Sequence, residues 1–290
     1  MANSKFEYVK QFEQMQNLLP NTYIVVRIDG KGFHKFTKYY DFQKPNDEQG
    51  LKLMSFSACI VMETFPDIQI AYGQSDEFSF VLKKDSELYC RRSDKIATCI
   101  CSTFTSIYTL NFEKFMKKPL KFPYVPIFDA RCVCYPDLQN IRDYLSWRQV
   151  DCHINNLYNT CFWGLVQKGM NKQEAEKTLA GTNAGDKNEL LFSKLQKNYN
   201  NEPEIFKKGT TIIRHPTNER INLKVELDVD SKEQQKLNKK QKKKFKYKEL
   251  NQQELNQLPN QQKEDLQVQE FYLDIIKDNF WIENKTYILL

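Results

Sequence analysis

Histidine is scarce in this 290-residue chain, with three in total, and none of the eight cysteines (59, 90, 99, 101, 132, 134, 152 and 161) forms a CxxC pair. A structural zinc site needs a closed set of such ligands, so that class is disfavoured. Several cysteines lie inside apolar runs, which reads as reduced, buried thiols in a reducing compartment. No run of about 18 apolar residues occurs, so no membrane-spanning segment is expected. The start, Met1-Ala2-Asn3-Ser4-Lys5-Phe6-Glu7, has neither an apolar signal core nor an Arg-rich, acid-free transit pattern. A soluble intracellular protein is expected, cytoplasmic, with nuclear or mitochondrial locations left open. Internal repeats are absent too.

Charge needs dissection. The run KLNKKQKKKFKYK at 236–248 holds eight lysines and no acid, so removing it from a net +6 leaves the remainder at −2. Bulk charge therefore does not mark the folded part as a nucleic-acid binder. The run itself reads as a solvated linker or an address signal, with an RNA phosphate tether as the alternative.

Residues 22–28 read as a buried strand, and 47–65 as a core-facing helix with Asp47 as N-cap and Pro66 at its exit. A hairpin with strands at 68–73 and 77–82, a helix over 93–116 and a strand Phe128–Tyr135 follow. The order βαββαβ predicts an α+β fold of the ferredoxin-like type over residues 1–136. In it the end of the first strand lies beside the hairpin turn. Helices are expected at 137–168, 171–181 and 186–197, making 137–229 a mainly helical extension. Residues 230–265 are Lys-, Gln- and Asn-rich and read as a flexible insertion. Apolar character returns in 266–290, which should dock on the body.

The chemistry concentrates in RIDGKGFHKF at 27–36 and AYGQSDEFSF at 71–80, two strands that each end in carboxylate and turn residues. Asp29, Asp76 and Glu77 offer hard oxygen ligands, and carboxylates on adjoining strands can clamp two Mg2+ ions across a triphosphate. Gly30 and Gly32 allow close backbone approach, where successive N–H groups cradle phosphates. Either segment alone is an ordinary turn; together they point to metal-dependent nucleotidyl transfer. His34 contacts a base or phosphate, or packs at a strand–helix corner. Phe33 and Phe42 stack on a base or belong to the core. Lys44, Asn46 and Asp47 lie in a loop that could close over a nucleotide. Arg91, Arg92 and Lys95 at a helix start suit a triphosphate, or are scattered surface charges. In the 137–168 helix Ile154, Leu157, Tyr158 and Cys161 share an inward face. His153, Asn156 and Thr160 share another, which reads unpaired bases or bonds neighbouring helices. Lys187 and Asn188 open a later helix, as phosphate ligands or as part of a plain cap.

These segments resemble the tRNA-histidine guanylyltransferase family, whose members add a nucleotide in the 3′-to-5′ direction. The likeness covers roughly residues 3–225, with a weaker match at 271–283. It rests on KFEYV at 5–9, the two segments above, KPND at 44–47, FDAR at 128–131, YLSWRQVDCHINNLYNT at 144–160 and DKNELLF at 186–192. It implies a polymerase-type palm, a homotetramer built as a dimer of dimers, and two Mg2+ ions at Asp29, the Gly30 carbonyl and Asp76. It also implies GTP binding at Asp29, Gly30, Lys31, Gly32, Phe33, His34, Ser75 and Asp76, and triphosphate contacts at Arg92 and Lys95. tRNA recognition is implied at His153 and Asn156, with Lys187 as a further candidate. The implied activity adds a guanylate to the 5′ end of tRNA-His after ATP-dependent adenylylation of the 5′-phosphate. Template-dependent repair of truncated tRNA 5′ ends is the runner-up, disfavoured by His153-Ile154-Asn155-Asn156. A nucleotide cyclase and a non-catalytic RNA-binding module stand further back. Departures are mild: Lys31 and Lys35 replace arginines, and Phe206-Lys207-Lys208-Gly209 replaces a Tyr-Arg-Lys-Gly pattern. For 230–265 no family counterpart is apparent.

Overall fold

Strand β1 (Tyr23–Gly30) is apolar on both faces, and both are used. Ile24, Val26 and Ile28 enter one core while Tyr23 and Val25 enter another on the opposite side. Side chains that alternate across a strand enforce that division, so β1 must sit inside a sheet covered on both faces. In the computed structural model, which describes residues 4–14, 16–216 and 266–288, it does. β1 pairs antiparallel with β3 (Glu77–Leu82) and β4 (Phe128–Tyr135), and β3 pairs with β2 (Ile68–Gln74). The sheet runs β4-β1-β3-β2-β5-β6, with β5 spanning Thr210–Pro216 and β6 Leu266–Phe271. The expected βαββαβ palm is its first four strands. The two added strands come from stretches read as helical extension and docking tail.

The chain divides into one unit of Met1–Arg214 with Val268–Leu290 and another of His215–Gln267. The first carries all the candidate site residues. Most of the second, including the 230–265 span, lies outside the described residues, so the flexible-insertion reading does too.

One sheet face is covered by α2 (Glu48–Thr64) and α3 (Ser93–Met116). Asp47 caps α2 as expected, accepting from the Gly50 N–H at 2.9 Å. In α3 every fourth residue from Ile96 to Phe112 is fully buried, one stripe meeting the sheet. The short α1 (Phe33–Tyr39) was not anticipated; it places Phe33 and Phe36 in the same core. The other face carries α4 (Leu138–Gln167), a single helix of 30 residues. α5 (Lys172–Leu179) and α6 (Ala184–Ser193) pack on its later half around Leu157, Cys161 and Leu165. The tail docks on this face as well: Ile275 and Phe280 are buried beside Ile141 and Leu145. α7 (Glu204–Lys208) precedes β5, and α8 (Asp278–Glu283) closes the described tail. All eight cysteines are free, and no described helix is long and apolar enough to cross a membrane.

Buried Gln149 ties three segments together. Its amide donates to the Lys208 and Leu273 carbonyls and accepts from the Ile275 N–H, each at 2.9 Å. Gln149→Leu should leave these backbone groups unpaired and lower unfolding stability by about 2–4 kcal/mol. Urea titration should show this as a lower midpoint at an unchanged slope, with faster proteolysis inside 266–288.

Candidate active site

β1 ends in Asp29-Gly30, and the two-residue turn Ser75-Asp76 joins β2 to β3. The register sets Asp29 opposite Glu77 on one side and Asp129 on the other. The Gly30 N–H donates to the Asp76 carbonyl at 3.1 Å, which ties the turn to the strand end. A Cβ on Gly30 would meet Asp76 Oδ2 at 2.8 Å and the Phe33 ring at 2.5 Å, so only glycine lets the carboxylate lie against this backbone. Gly32, at φ +65°, makes the left-handed turn into α1. Ser75 is also left-handed at φ 52°, a conformation unfavourable outside glycine, and its hydroxyl donates to Asp76 Oδ1 at 2.9 Å.

Burial pushes the Asp76 carboxyl above its ordinary range, and the Asp29 charge pushes further; the Ser75 hydroxyl and His34 pull it back. Burial also raises Glu77, against the opposing pull of Arg148 and Arg27. Arg148, itself almost buried, lies 3.2 Å from Glu77 and 3.6 Å from Asp151, stacked 3.4 Å from the Trp147 ring centroid. Glu77 is thus held by a guanidinium, whereas Asp29 and Asp76 are crowded acids. Their carboxylates and the adjacent Gly30 carbonyl are hard oxygen donors, a set that fits Mg2+. Among the described residues no group of three or more His, Cys, Asp or Glu could hold a metal. A cation here would take its remaining ligands from substrate phosphates and water, as Mg2+ commonly does.

These groups line a cleft of about 600 Å³. Asp29, Gly30, Gly32, Phe33, His34 and the hairpin tip form one wall; Asp151, Asn155, Asn159 and Trp163 of α4 form the other. The loop of Lys44, Asn46 and Asp47 is pinned between them. Asn46 Nδ2 donates to Asn156 Oδ1 at 2.8 Å, Gln167 donates to the Lys44 carbonyl at 3.1 Å, and Asp47 is spent on capping α2. Phe33 and Phe42 are buried among aromatic rings, the core alternative, though Phe33 also floors the cleft. Lys31 is exposed, with its N–H donating to the Ile127 carbonyl at 2.8 Å.

Three expectations are corrected by the placement of elements. Arg92 and Lys95 do not join the cleft of their own chain. β3 runs away from the hairpin, so α3 begins at the far end of the sheet, roughly 23 Å off by the length of β1. Arg92 bridges Asn17 there, and Lys95 sits 5.0 Å over the Tyr89 ring. Buried Arg91 is structural, donating to the carbonyls of Ser86, Leu19 and Thr22. Second, His153, Asn156 and Thr160 do not share an open face. Asn156 and Thr160 turn inward, and the Asn156 amide is bonded to Asn46 and to Tyr199 at 3.0 Å. His153 instead opens, with Asn188, Asn198, Tyr199 and Lys207, into a separate cavity of about 740 Å³. It is the larger hollow, but it lacks the acidic pair. Third, the Lys187 ammonium donates to the Thr182 carbonyl at 2.6 Å, bracing the Asn183 cap rather than reaching out.

Sequence reasoning passed over Arg148, Asp151, Asn155, Asn159 and Trp163. Their signal was present: polar or aromatic residues at 151, 155, 159 and 163 recur every fourth position, one helix face.

A palm-type sheet with two crowded carboxylates at adjoining strand ends, opening on a polar cleft, defines a nucleotidyltransferase, and nucleotidyl transfer of this type calls for a divalent cation. The chain belongs to the tRNA(His) guanylyltransferase family. The family model described as tRNAHis guanylyltransferase matches residues 6–136, and the Thg1 C terminal domain matches 139–277. A tRNA(His) guanylyltransferase of Candida glabrata is 60% identical over 215 residues, 73% of this chain and 91% of that one. That of Debaryomyces hansenii is 48% identical over 289 residues, 98% of each chain. The crystal structure of the Saccharomyces cerevisiae enzyme superposes with a TM-score of 0.71 at 53% identity, covering 78% of this chain and 100% of that one. The Debaryomyces alignment spans 230–265, so that stretch does have a counterpart within the family.

An acid whose folded pKa is raised favours folding at low pH, and that contribution is lost as pH rises through the raised value. In metal-free buffer, lowering the pH from about 7 toward 5 should therefore stabilise the wild type relative to Asp76→Asn. Added Mg2+ should raise the wild-type Tm more at the higher pH and leave Asp76→Asn unshifted. Differential scanning calorimetry reads both.

Proposed function

We propose that this chain adds a guanylate to position −1 of tRNA-His, using ATP, GTP and two Mg2+ ions per active site. The 5′-phosphate of the tRNA attacks the α-phosphorus of ATP and releases pyrophosphate, leaving an adenylylated end. The 3′-hydroxyl of GTP then attacks the 5′-phosphorus and releases AMP; removal of pyrophosphate leaves the added G. The observation that carries this reading is the pinning of Asp76 against Gly30 beside Asp29. Metal held at Asp29, the Gly30 carbonyl and Asp76 would neutralise phosphate charge and lower the pKa of the attacking hydroxyl. The chain itself supplies the Gly30–Gly32 amides and Ser75 for phosphates, His34 as a neighbouring polar group and Lys44 as a neighbouring cation, and the braced Asn46–Asp47 loop to fix the nucleotide. Glu77, clamped by Arg148, keeps the hairpin tip in place.

Residues 1–136 would perform the chemistry and 137–229 would read the RNA, with 266–290 bracing the two. His153 in its separate cavity supports this division, and Asn156 acts through Asn46 and Tyr199. Free cysteines throughout fit a cytoplasmic setting. Arg92 and Lys95, distant from their own carboxylates, would reach the triphosphate of a neighbouring copy in a homotetramer.

Incubation with labelled GTP, ATP and 5′-phosphorylated tRNA-His should yield the extended tRNA, with an adenylylated intermediate trapped when GTP is omitted. Asp29→Ala or Asp76→Ala should cut both steps by ~10³-fold or more, several kcal/mol of barrier, with tRNA affinity largely kept. Near-normal rates in either variant would refute the carboxylate assignment. Co-assembling Arg92→Ala/Lys95→Ala chains with Asp76→Asn chains should recover activity that neither has alone. Full activity of the Arg92→Ala/Lys95→Ala chains alone would place the two cations outside the reaction, and loss without recovery would overturn their reaching a neighbouring copy.

A further inference from the structure

Trp163 lies at the outer end of the stripe that begins at Asp151. Twelve residues of helix put its backbone about 18 Å along the α4 axis from Asp151. The half-buried indole lines the same cleft as Asp29 and Asp76, with the Phe162 ring 5.4 Å away and nearly perpendicular to it. Two ammonium groups converge on it: Lys44 Nζ lies 6.0 Å and Lys172 Nζ 5.3 Å from the ring centroid. Among the described residues neither ammonium forms an ion pair or a hydrogen bond to protein. Desolvation lowers the Lys44 pKa, the Asp47 and Asp76 carboxylates pull it back up, and the charge of Lys172 lowers it again. The two ammonium groups converge on one ring without a direct ion pair, Asp47 and Asp76 acting on Lys44 only at longer range, which leaves room for an anion between them. Between them and the acidic cluster lie Asn155 and Asn159, short polar groups able to donate to and accept from base edges.

We propose that Trp163 is a stacking platform for a nucleobase at the mouth of the cleft, with Lys44 and Lys172 holding the phosphate attached to that base. Aromatic stacking beside paired lysines is how single-stranded nucleotides are gripped, because every base offers a π-face and every linkage a negative charge. The alternative, an indole that merely shields the two lysine stems, would leave ligand binding indifferent to it. The inference rests on the cleft being the transfer site, and the base belongs either to a free nucleoside triphosphate or to the 5′ end of the RNA.

The test uses the full chain and its intrinsic fluorescence. GTP, ATP and a 5′-phosphorylated RNA hairpin are titrated separately into wild type, Trp163→Phe and Trp163→Leu, each checked for a cooperative melt. Quenching that disappears in Trp163→Phe supports the proposal, and the ligand producing it names the source of the base. Trp163→Leu should weaken that same ligand about 10- to 100-fold, as its KM, with Trp163→Phe restoring most of the loss. Repeating the titration in Asp29→Asn keeps the two readings separable: quenching should persist there although transfer is lost. Equal quenching in wild type and Trp163→Phe, or unchanged affinity in a well-folded Trp163→Leu, would overturn the proposal.

Discussion

The antiparallel register of β1 against β3 governs everything at this site. Asp29 faces Glu77, and the Gly30 N–H meets the Asp76 carbonyl, only in that register. A slip of one residue would exchange the two faces of β1, burying Arg27 and Asp29 among Phe104 and Phe128 and turning Ile28 toward the cleft. The hydrophobic demand of two separate cores therefore fixes the position of the acidic groups. The stability of the sheet and the geometry of the chemistry are one constraint.

Around that register the structure holds charge in an unrelaxed state. Asp76 is held buried beside Asp29 at the end of the sheet, Ser75 keeps a left-handed backbone to aim the turn, and Glu77 is ion-paired with Arg148. Burial disfavours the ionised form of Asp76, which a bound cation would favour. α4 makes the cleft by facing its Asp151–Trp163 stripe toward the acids while Leu157, Cys161 and Leu165 anchor its other side to α5 and α6. The Asn46–Asn156 bond then locks the loop over the cleft to the helix behind it.

Much of the palm was legible in the sequence because its signals are periodic. α3 was bounded at 93–116 by residues that recur every fourth position, and Asp47 and Pro66 bracketed α2. β4 was equally plain from Phe128 to Pro136. α1 escaped notice because seven residues inside a glycine-rich motif read as a loop, although Phe33, Phe36 and Tyr40 are spaced for a helix. β5 was hidden because Thr210–Ile213 lies within a stretch that reads as helical extension, with no turn partner next to it in sequence. The placement of Arg92 and Lys95 was not legible at all. Nearness to a hairpin in sequence says nothing of which end of the sheet a helix begins at, and that depends on the direction of β3. Asn156 misled for a related reason: a polar residue on a helix looks like surface until Asn46 and Tyr199 arrive to satisfy it. The acidic pair itself was read correctly as a juxtaposition, because the βαββαβ order brings the end of its first strand to the hairpin turn.

The central claim is that the buried Asp76 carboxylate, pinned against Gly30 beside Asp29, is where a divalent cation binds. The most direct measurement is the number of protons released when Mg2+ binds the nucleotide-free chain, obtained by calorimetric titration in buffers of different ionisation enthalpy. Proton release should be appreciable on the acid side of neutrality, should fade as the pH rises and Asp76 ionises unaided, and should vanish in Asp76→Asn. Mg2+ binding with no proton release at any pH, or with the same release in Asp76→Asn, would contradict the account.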